Sequence, residues 1–302
     1  MKRYNRLKKD GIIVGEFMHL NPLSFGYESF AEIGFLTDLA YRKHAIELIR
    51  NKPFVRLVPA IGKYDIRGQV IAKKLSDLSI LVQRVDIKPY IDSVEVLLFS
   101  DLNNSPWYPE NLILKPEERE HKLVTAVKQK KFEPVELDEK DIGLVKALTK
   151  DSRTPFKDIA NMLGISTANV IRRYRRLREK NVLNLSSICV DPLKLGYQAI
   201  ADSYIKIKNK EHLSEVEQQL LQIPNVTFCA KFIGGIYDIR VAGPIANIDD
   251  FIHFRTSITS INNIKHAEVY LSVQAHSWIF DLYGWDILNQ PWPTCLNLNF
   301  NS

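Results

Sequence analysis

The chain has 302 residues, 45% hydrophobic and 25% charged, a composition that excludes a wholly disordered protein. At about 100–200 residues per domain, this length predicts two or three domains. No run approaches the roughly 18 continuous apolar residues of a membrane helix, and the basic start lacks a signal-peptide core. The cysteines Cys189, Cys229 and Cys295 form no CxxC pair. A cytoplasmic protein is therefore expected, with no membrane attachment, disulfide framework, metal or cofactor.

The net charge is +6, and it is unevenly placed. Residues 137–185 hold 11 basic and 6 acidic side chains, whereas residues 186–302 hold 8 and 11. Arg172, Arg173, Arg175, Arg176 and Arg178 crowd one short stretch. On an idle helix they would repel one another, so the segment calls for a polyanionic partner.

The chain also repeats itself. Tyr4-Asn5-Arg6-Leu7 lines up with Tyr174-Arg175-Arg176-Leu177 at an offset of 170. At the same offset Asn21-Pro22-Leu23 meets Asp191-Pro192-Leu193, and Gly26-Tyr27 meets Gly196-Tyr197. Further on, at an offset of 173, Gly62-Lys63-Tyr64-Asp65-Ile66-Arg67 meets Gly235-Ile236-Tyr237-Asp238-Ile239-Arg240, and Glu95-Val96 meets Glu268-Val269. The chain reads as a tandem duplication. Residues 137–170 have no counterpart in the first copy. Either that copy has lost its front, or the true start lies upstream of Met1.

In chain order, residues 1–14 are the expected remnant of a first helix-turn-helix, with Lys2, Arg3, Arg6, Lys8 and Lys9 as its basic tail. Residues 15–100 form a first α/β domain, with strands near 28–37, 54–61, 65–71 and 92–99 and helices near 41–50 and 75–84. Residues 101–136 are a linker with a helix expected within 116–131.

Residues 137–185 predict three helices. Asp138 caps the first. Thr154 caps the second, with Pro155 at its first position and Gly164 at its end. Ser166 caps the third, residues 167–179. The glycine-containing turn between the second and third is a helix-turn-helix signature. Thr167, Asn169, Arg172 and Arg173 cover the early exposed part of the third helix, where arginine suits guanine edges and asparagine suits adenine edges. Arg175, Arg176 and Arg178 lie later and suit phosphates. With Ser166 these form the candidate DNA-binding set.

Residues 186–275 repeat the α/β pattern, with strands at 199–208, 226–232, 238–243 and 267–273 and helices at 212–221 and 249–259. The fold class expected is α+β, a winged-helix-like helix-turn-helix plus two ferredoxin-like β-α-β-β-α-β effector-type domains. Helices on one side of each sheet leave the other side bare, and it must be covered within the chain or by a second chain. Residues 276–302 form an aromatic-rich arm carrying Trp278, Phe280, Tyr283, Trp285, Trp292 and Phe300, suited to cover an edge or face.

On Ile159-Ala160, Leu163-Gly164, Ser166, Val170, Arg173, Leu177, Val182-Leu183, Asp191-Pro192, Gly196-Tyr197 and the Gly234-to-Asp238 loop, the chain resembles the Lrp/AsnC family of transcriptional regulators. The resemblance spans residues 138–275 and, without the first helices, 1–99. It implies sequence-selective binding of double-stranded DNA and a small-molecule effector such as an amino acid. It assigns effector contacts to Gly62, Tyr64, Asp65, Gly235, Tyr237 and Asp238. Asn181 stands where the family commonly has glycine, whereas the first copy keeps Gly11. One complete recognition helix per chain implies a homodimer of chains on a symmetric site.

Two alternatives remain open. One is a metabolite-sensing scaffold, or a partner of another regulator, that does not bind DNA. The other rests on a similarity to sirohaem decarboxylases, enzymes of related architecture, for which Arg67, Arg240, His253 and His266 are the residues to examine.

Overall fold

A computed structural model describes residues 2–50, 56–86, 90–100, 108, 111 and 134–272. The linker helix expected within 116–131 and the aromatic arm at 276–302 lie outside the described residues. No described helix is long and apolar enough to cross a membrane.

The first copy runs α1 (Lys2–Lys9), β1 (Ile13–Leu20), β2 (Ser29–Leu36), α2 (Arg42–Arg50), β3 (Arg56–Pro59), β4 (Ile66–Ala72), α3 (Leu75–Asp86) and β5 (Ser93–Leu98). Three helices follow, α4 (Glu139–Lys150), α5 (Phe156–Leu163) and α6 (Thr167–Glu179). The second copy continues β6 (Leu183–Val190), β7 (Ala199–Ile207), α7 (Leu213–Leu221), β8 (Phe228–Lys231), β9 (Ile239–Ile245), α8 (Ile248–Thr259) and β10 (Ile264–Ser272).

Two antiparallel four-stranded sheets result, ordered β3-β4-β2-β5 and β10-β7-β9-β8. In both, the first strand lies between the third and the fourth. Alternation along the strands separates two faces. In the first sheet Ala31, Ile33, Phe35, Ile66, Val70 and Ala72 pack under α2 and α3 with Ala45, Ile49, Leu78 and Leu81. Phe30, Tyr64, Ile71, Leu97 and Phe99 point the other way and share a core with Tyr204, Phe228, Phe232 and Tyr237 of the second copy. The bare faces therefore cover each other within one chain. Phe99 and Phe232 rings lie 5.1 Å apart, and Tyr64 meets Tyr204 edge-on at 5.7 Å. Backbone bonds also cross between copies, from Ile233 N to Leu98 O at 2.7 Å and from Ser100 N to Lys231 O at 2.9 Å.

Charge is buried in this interface. Arg240 donates to both oxygens of Asp202, at 2.9 and 2.7 Å, and to Glu32 at 2.7 Å. Arg67 donates to Asp202, and the Tyr204 hydroxyl donates to Glu32. All five side chains are buried. Burial alone would push the Asp202 carboxyl up, but the Arg240 and Arg67 guanidiniums hold it at about 2.

A third sheet joins the copies. β1 pairs antiparallel with β6 about the opposed residues Phe17 and Ser187, with Glu16 on Ile188 and Met18 on Ser186. The 170-residue offset maps each of these pairs onto the other, so the ribbon carries a local twofold axis. The domain boundaries read from the sequence, after 14 and after 185, fall inside these two strands. The ribbon belongs to both copies rather than to either α/β unit.

Replacing Arg240 by methionine should cost about 3–5 kcal/mol, the range for uncompensated buried charge, read as a lower midpoint in urea. A depressed carboxyl stabilises the fold above its unfolded value of about 3.9 and stops doing so as pH falls through its folded value. Unfolding free energy should therefore drop between about pH 4 and 2, and Asp202→Asn should flatten that stretch of the curve. An unchanged curve in the variant would show that Asp202 does not carry the acid sensitivity.

Candidate nucleic-acid interface

Residues 138–179 build three short helices whose ends are fixed by local chemistry. Asp138 and Asp141 form a reciprocal capping box on α4: Asp141 N donates to Asp138 at 2.8 Å and Asp138 N to Asp141 at 3.3 Å. Pro155 itself occupies the cap position of α5. Thr154, expected as that cap, instead donates its hydroxyl to Asp151 O at 2.8 Å and closes the preceding turn. Gly164 ends α5 at φ 63°, and Ser166 accepts from Asn169 N at 3.2 Å to start α6. Leu144, Val145, Leu148, Ile159, Ala160, Val170 and Leu177 fill the small core, and Phe156 lies 5.1 Å from Tyr174.

The five arginines do not act as one patch. Arg173 bonds Asp138 at 2.8 and 2.7 Å and Asp141 at 2.7 Å. Arg176 also bonds Asp141, whose side chain is only 1% exposed. Bonds to Asp141 and Asp138 push the Arg173 guanidinium up, and a backbone bond together with Arg173 holds the Asp138 carboxyl down. Arg178 donates to Leu183 O at 3.2 Å, where the chain enters β6. Each of these three has a partner within the protein, Arg173 is half-buried by it, and Arg176 and Arg178 stay exposed.

Ser166, Thr167, Ala168, Arg172, Arg175, Arg176, Arg178 and Glu179 are exposed, and Arg173 is half-buried. A shallow open groove runs along Ala168, Ile171, Arg172, Arg175, Arg176 and Glu179. The Asn169 carboxamide accepts from Arg172 at 3.3 Å and Arg173 at 3.2 Å, tying the inward set to the outward one. Sequence reasoning missed Asp141. Its signal was its place three residues after Asp138, where it completes the cap.

The residues proposed for effector contact serve the frame between the sheets. Tyr64 and Tyr237 are buried and donate to Glu95 at 2.8 Å and Glu268 at 2.6 Å. Burial, reinforced by these bonds, pushes both phenols up. Asp65 accepts from Thr37 N and Asp238 from Ile207 N, both at 3.0 Å, so each ties the loop to the end of its sheet's first strand. Gly62 sits at φ +134°, where an added Cβ would stand 2.6 Å from the Tyr270 ring. Gly235 sits at φ +76°, where an added Cβ would make only ordinary contact with Leu97, at 3.9 Å. Gly62 thus allows its loop to press on the other copy's last strand, and both glycines supply a left-handed backbone. Lys63 reaches the Tyr237 hydroxyl and Glu95, both at 2.8 Å.

The crevice beside this frame, lined by Lys63, Tyr64, Arg67, Asp202, Tyr204 and Tyr270, has room for about one water. The four residues of the decarboxylase reading do not converge. Arg67 and Arg240 are buried between the sheets. His253 lies exposed on α8 with Ser257 at 2.9 Å. His266 stands exposed near Glu268 at 3.3 Å.

Residues 137–178 match the AsnC-type helix-turn-helix domain family. The HTH-type transcriptional regulator FL11 of Pyrococcus horikoshii is 28% identical over 142 residues, which is 47% of this chain and 93% of that protein. The HTH-type transcriptional regulator LrpA of the same organism is 38% identical over 84 residues, 28% of this chain and 59% of that protein. Residues 137–178 are thus similar to the helix-turn-helix domains of AsnC-type regulators. These sequence relatives are named as regulators, not enzymes. Over nearly the whole length the fold is similar to the siroheme decarboxylase NirDL, with a TM-score of 0.63 at 14% identity, covering 90% of this chain and 80% of that one. At that identity the likeness is one of fold.

Asp141→Ala removes the carboxylate shared by two arginines that can still reach water. Its cost should be about 2–3 kcal/mol, below the 3–5 of a fully buried pair, measured as loss of thermal stability. A variant as stable as the parent would show that α4 and α6 do not depend on this clamp.

Proposed function

We propose that the chain is a sequence-selective regulator of transcription that binds double-stranded DNA through α6. Its two sheet-and-helix units are read as ferredoxin-like effector-type domains, and it acts in the cytoplasm, modulated by a small molecule such as an amino acid. The observation that carries this reading is the three-helix unit, similar in sequence to an AsnC-type helix-turn-helix, with Arg172 and Arg175 on the open face of its third helix. A helix of this kind enters the major groove with its early residues at base edges.

The clamp on Arg173 and Arg176 divides the work. Arg172 and Thr167 are the base readers, Arg175 contacts backbone or base further along, and Ser166 stands at the helix start, where backbone N–H groups suit phosphate. Arg173, Arg176 and Arg178 orient the helix. Effector contact is assigned to the exposed Gly62 and Gly235 edges of the loops, with Tyr64, Asp65, Tyr237 and Asp238 as the frame that would shift. A decarboxylase reading has less support. Arg240 is committed to Asp202 and Glu32, and the inter-sheet crevice is far below the several hundred Å³ of an organic-ligand site.

Selection on randomised duplex DNA at two salt concentrations tests the reading. An enriched site bound well above bulk DNA is the expected result. Weak, strongly salt-dependent binding without enrichment would sink it. On the enriched site Arg172→Ala should lose about 1–3 kcal/mol of discrimination at one base position. Arg173→Ala should instead lower the melting temperature and weaken matched and mismatched sites alike.

A further inference from the structure

We infer that α1 is a second DNA-contacting element, related to α6 by the internal twofold, so that one chain spans two adjacent half-sites: one read by α6, the other held through phosphates by α1. This rests on the regulator reading above.

The twofold is not confined to the β1–β6 ribbon. Both basic helices enter it through the same turn. Gly11 at φ 69° and Asn181 at φ 56° are equivalent left-handed residues. Ile12 N bonds Leu7 O and Val182 N bonds Leu177 O, both at 2.9 Å. Across the ribbon, Asp191 N bonds Ile12 O at 2.9 Å and Asn21 N bonds Val182 O at 3.1 Å, again a matched pair. An axis through the middle of an antiparallel pair runs perpendicular to the ribbon. It therefore places α1 and α6 on the same side, one at each end. Eight residues at about 3.4 Å per residue separate the helix exits by roughly 24 Å along the ribbon. That separation is of the order of the roughly 34 Å of one DNA turn.

The chemistry of α1 suits phosphate. Lys2, Arg3, Arg6, Lys8 and Lys9 are its charged residues, and it has no acidic residue in its first turn. Lys2 and Arg6 occupy the positions equivalent to Arg172 and Arg176. Arg6 is 83% exposed, with Asp10 at 3.6 Å, whereas the equivalent Arg176 bonds the buried Asp141. Lys8 is turned back onto Glu16 at 2.9 Å. The helix is seated by the guanidinium of Arg153, 4.1 Å over the Tyr4 ring, and by Leu7 against Ile13 and Cys189. Tyr4 is the equivalent of Tyr174, so the same ring anchors both helices. Lysine carries charge without a bidentate fork, and Asn5 stands where α6 has Arg175. This face holds backbone rather than reading bases.

The test uses the full chain and two duplexes, one spanning the enriched site plus a further helical turn, the other cut to the α6 half-site. The wild type should bind the long duplex as one chain per site. The triple variant Lys2→Ala, Arg3→Ala, Arg6→Ala should bind it roughly a hundredfold more weakly near physiological salt, with a salt slope smaller by about 2–3. On the short duplex it should equal the wild type. Arg172→Ala should weaken binding to both. Thermal melts check that the triple variant, which changes no buried side chain, stays folded, and Lys2→Ala, Arg3→Ala repeats the test with the Arg6–Asp10 pair intact. Unchanged affinity and slope on the long duplex would overturn the inference, as would two chains per site. Wild-type protein that binds neither duplex would overturn the regulator reading and this inference with it.

Discussion

Two guanidiniums and two carboxylates sealed between the sheets set the terms for the rest of the molecule. Glu32 and Asp202 occupy equivalent positions in the two copies, as do Arg67 and Arg240. A face bearing one acid and one base is self-complementary under a twofold: turned upon itself, it sets each base against the other copy's acid. Desolvating four charges is costly, and their pairing offsets that cost only where the geometry is good. The bidentate hold of Arg240 on Asp202, with Glu32 and Tyr204 completing the set, meets that condition. Such a network adds less stability than an apolar face of equal area, but it admits few alternative alignments of the two sheets.

The copies have since diverged where symmetry would be awkward. Near the axis Tyr204 fills the space between the sheets, while its equivalent is Gly34, over which Tyr64 lies so closely that any side chain would overlap its ring. Leu97 and Tyr270 form a second unequal pair, beside Gly235 and Gly62 respectively. Two identical protomers could not make these exchanges, because each change would appear twice. The Gly-x-Tyr-Asp sequence has the same structural use in both copies: glycine for a positive φ, tyrosine to reach the last strand's glutamate, aspartate to tie down the first strand. Any effector acting there works on the joint between the copies.

The fold was largely legible because its determinants are local or repeated. Asp138, Gly164 and Ser166 mark helix ends through their own backbone bonds, and period-two alternation located the strands of both sheets to within a few residues. Two things were not legible. The partner of β1 lies 170 residues away in sequence, and no local pattern says that a wing strand pairs with its own duplicate; the boundaries drawn at 14 and 185 therefore cut through the ribbon. Nor does a run of arginines reveal which of them meet carboxylates. That depends on Asp141, buried on a helix 32 residues before Arg173, and only the crossing of α4 and α6 brings the two together.

That crossing bears on the proposed use of the basic segment. Contacts from unsupported arginines go mostly to phosphate and carry no sequence information. The bonds of Arg173 and Arg176 to Asp141 tie α6 to α4, which itself packs on β1 of the other copy. Under the proposed function this gives Arg172 a rigid support, the condition under which a two-point hydrogen bond to a base edge discriminates well. At the other end of the ribbon, Arg6 of α1 is 83% exposed, with Asp10 at 3.6 Å. Arg6 and Arg176 are equivalent residues, yet among the described residues one is free of any buried carboxylate and the other bonds Asp141. A fused pair of copies permits such a difference between the two helices, and an identical pair does not.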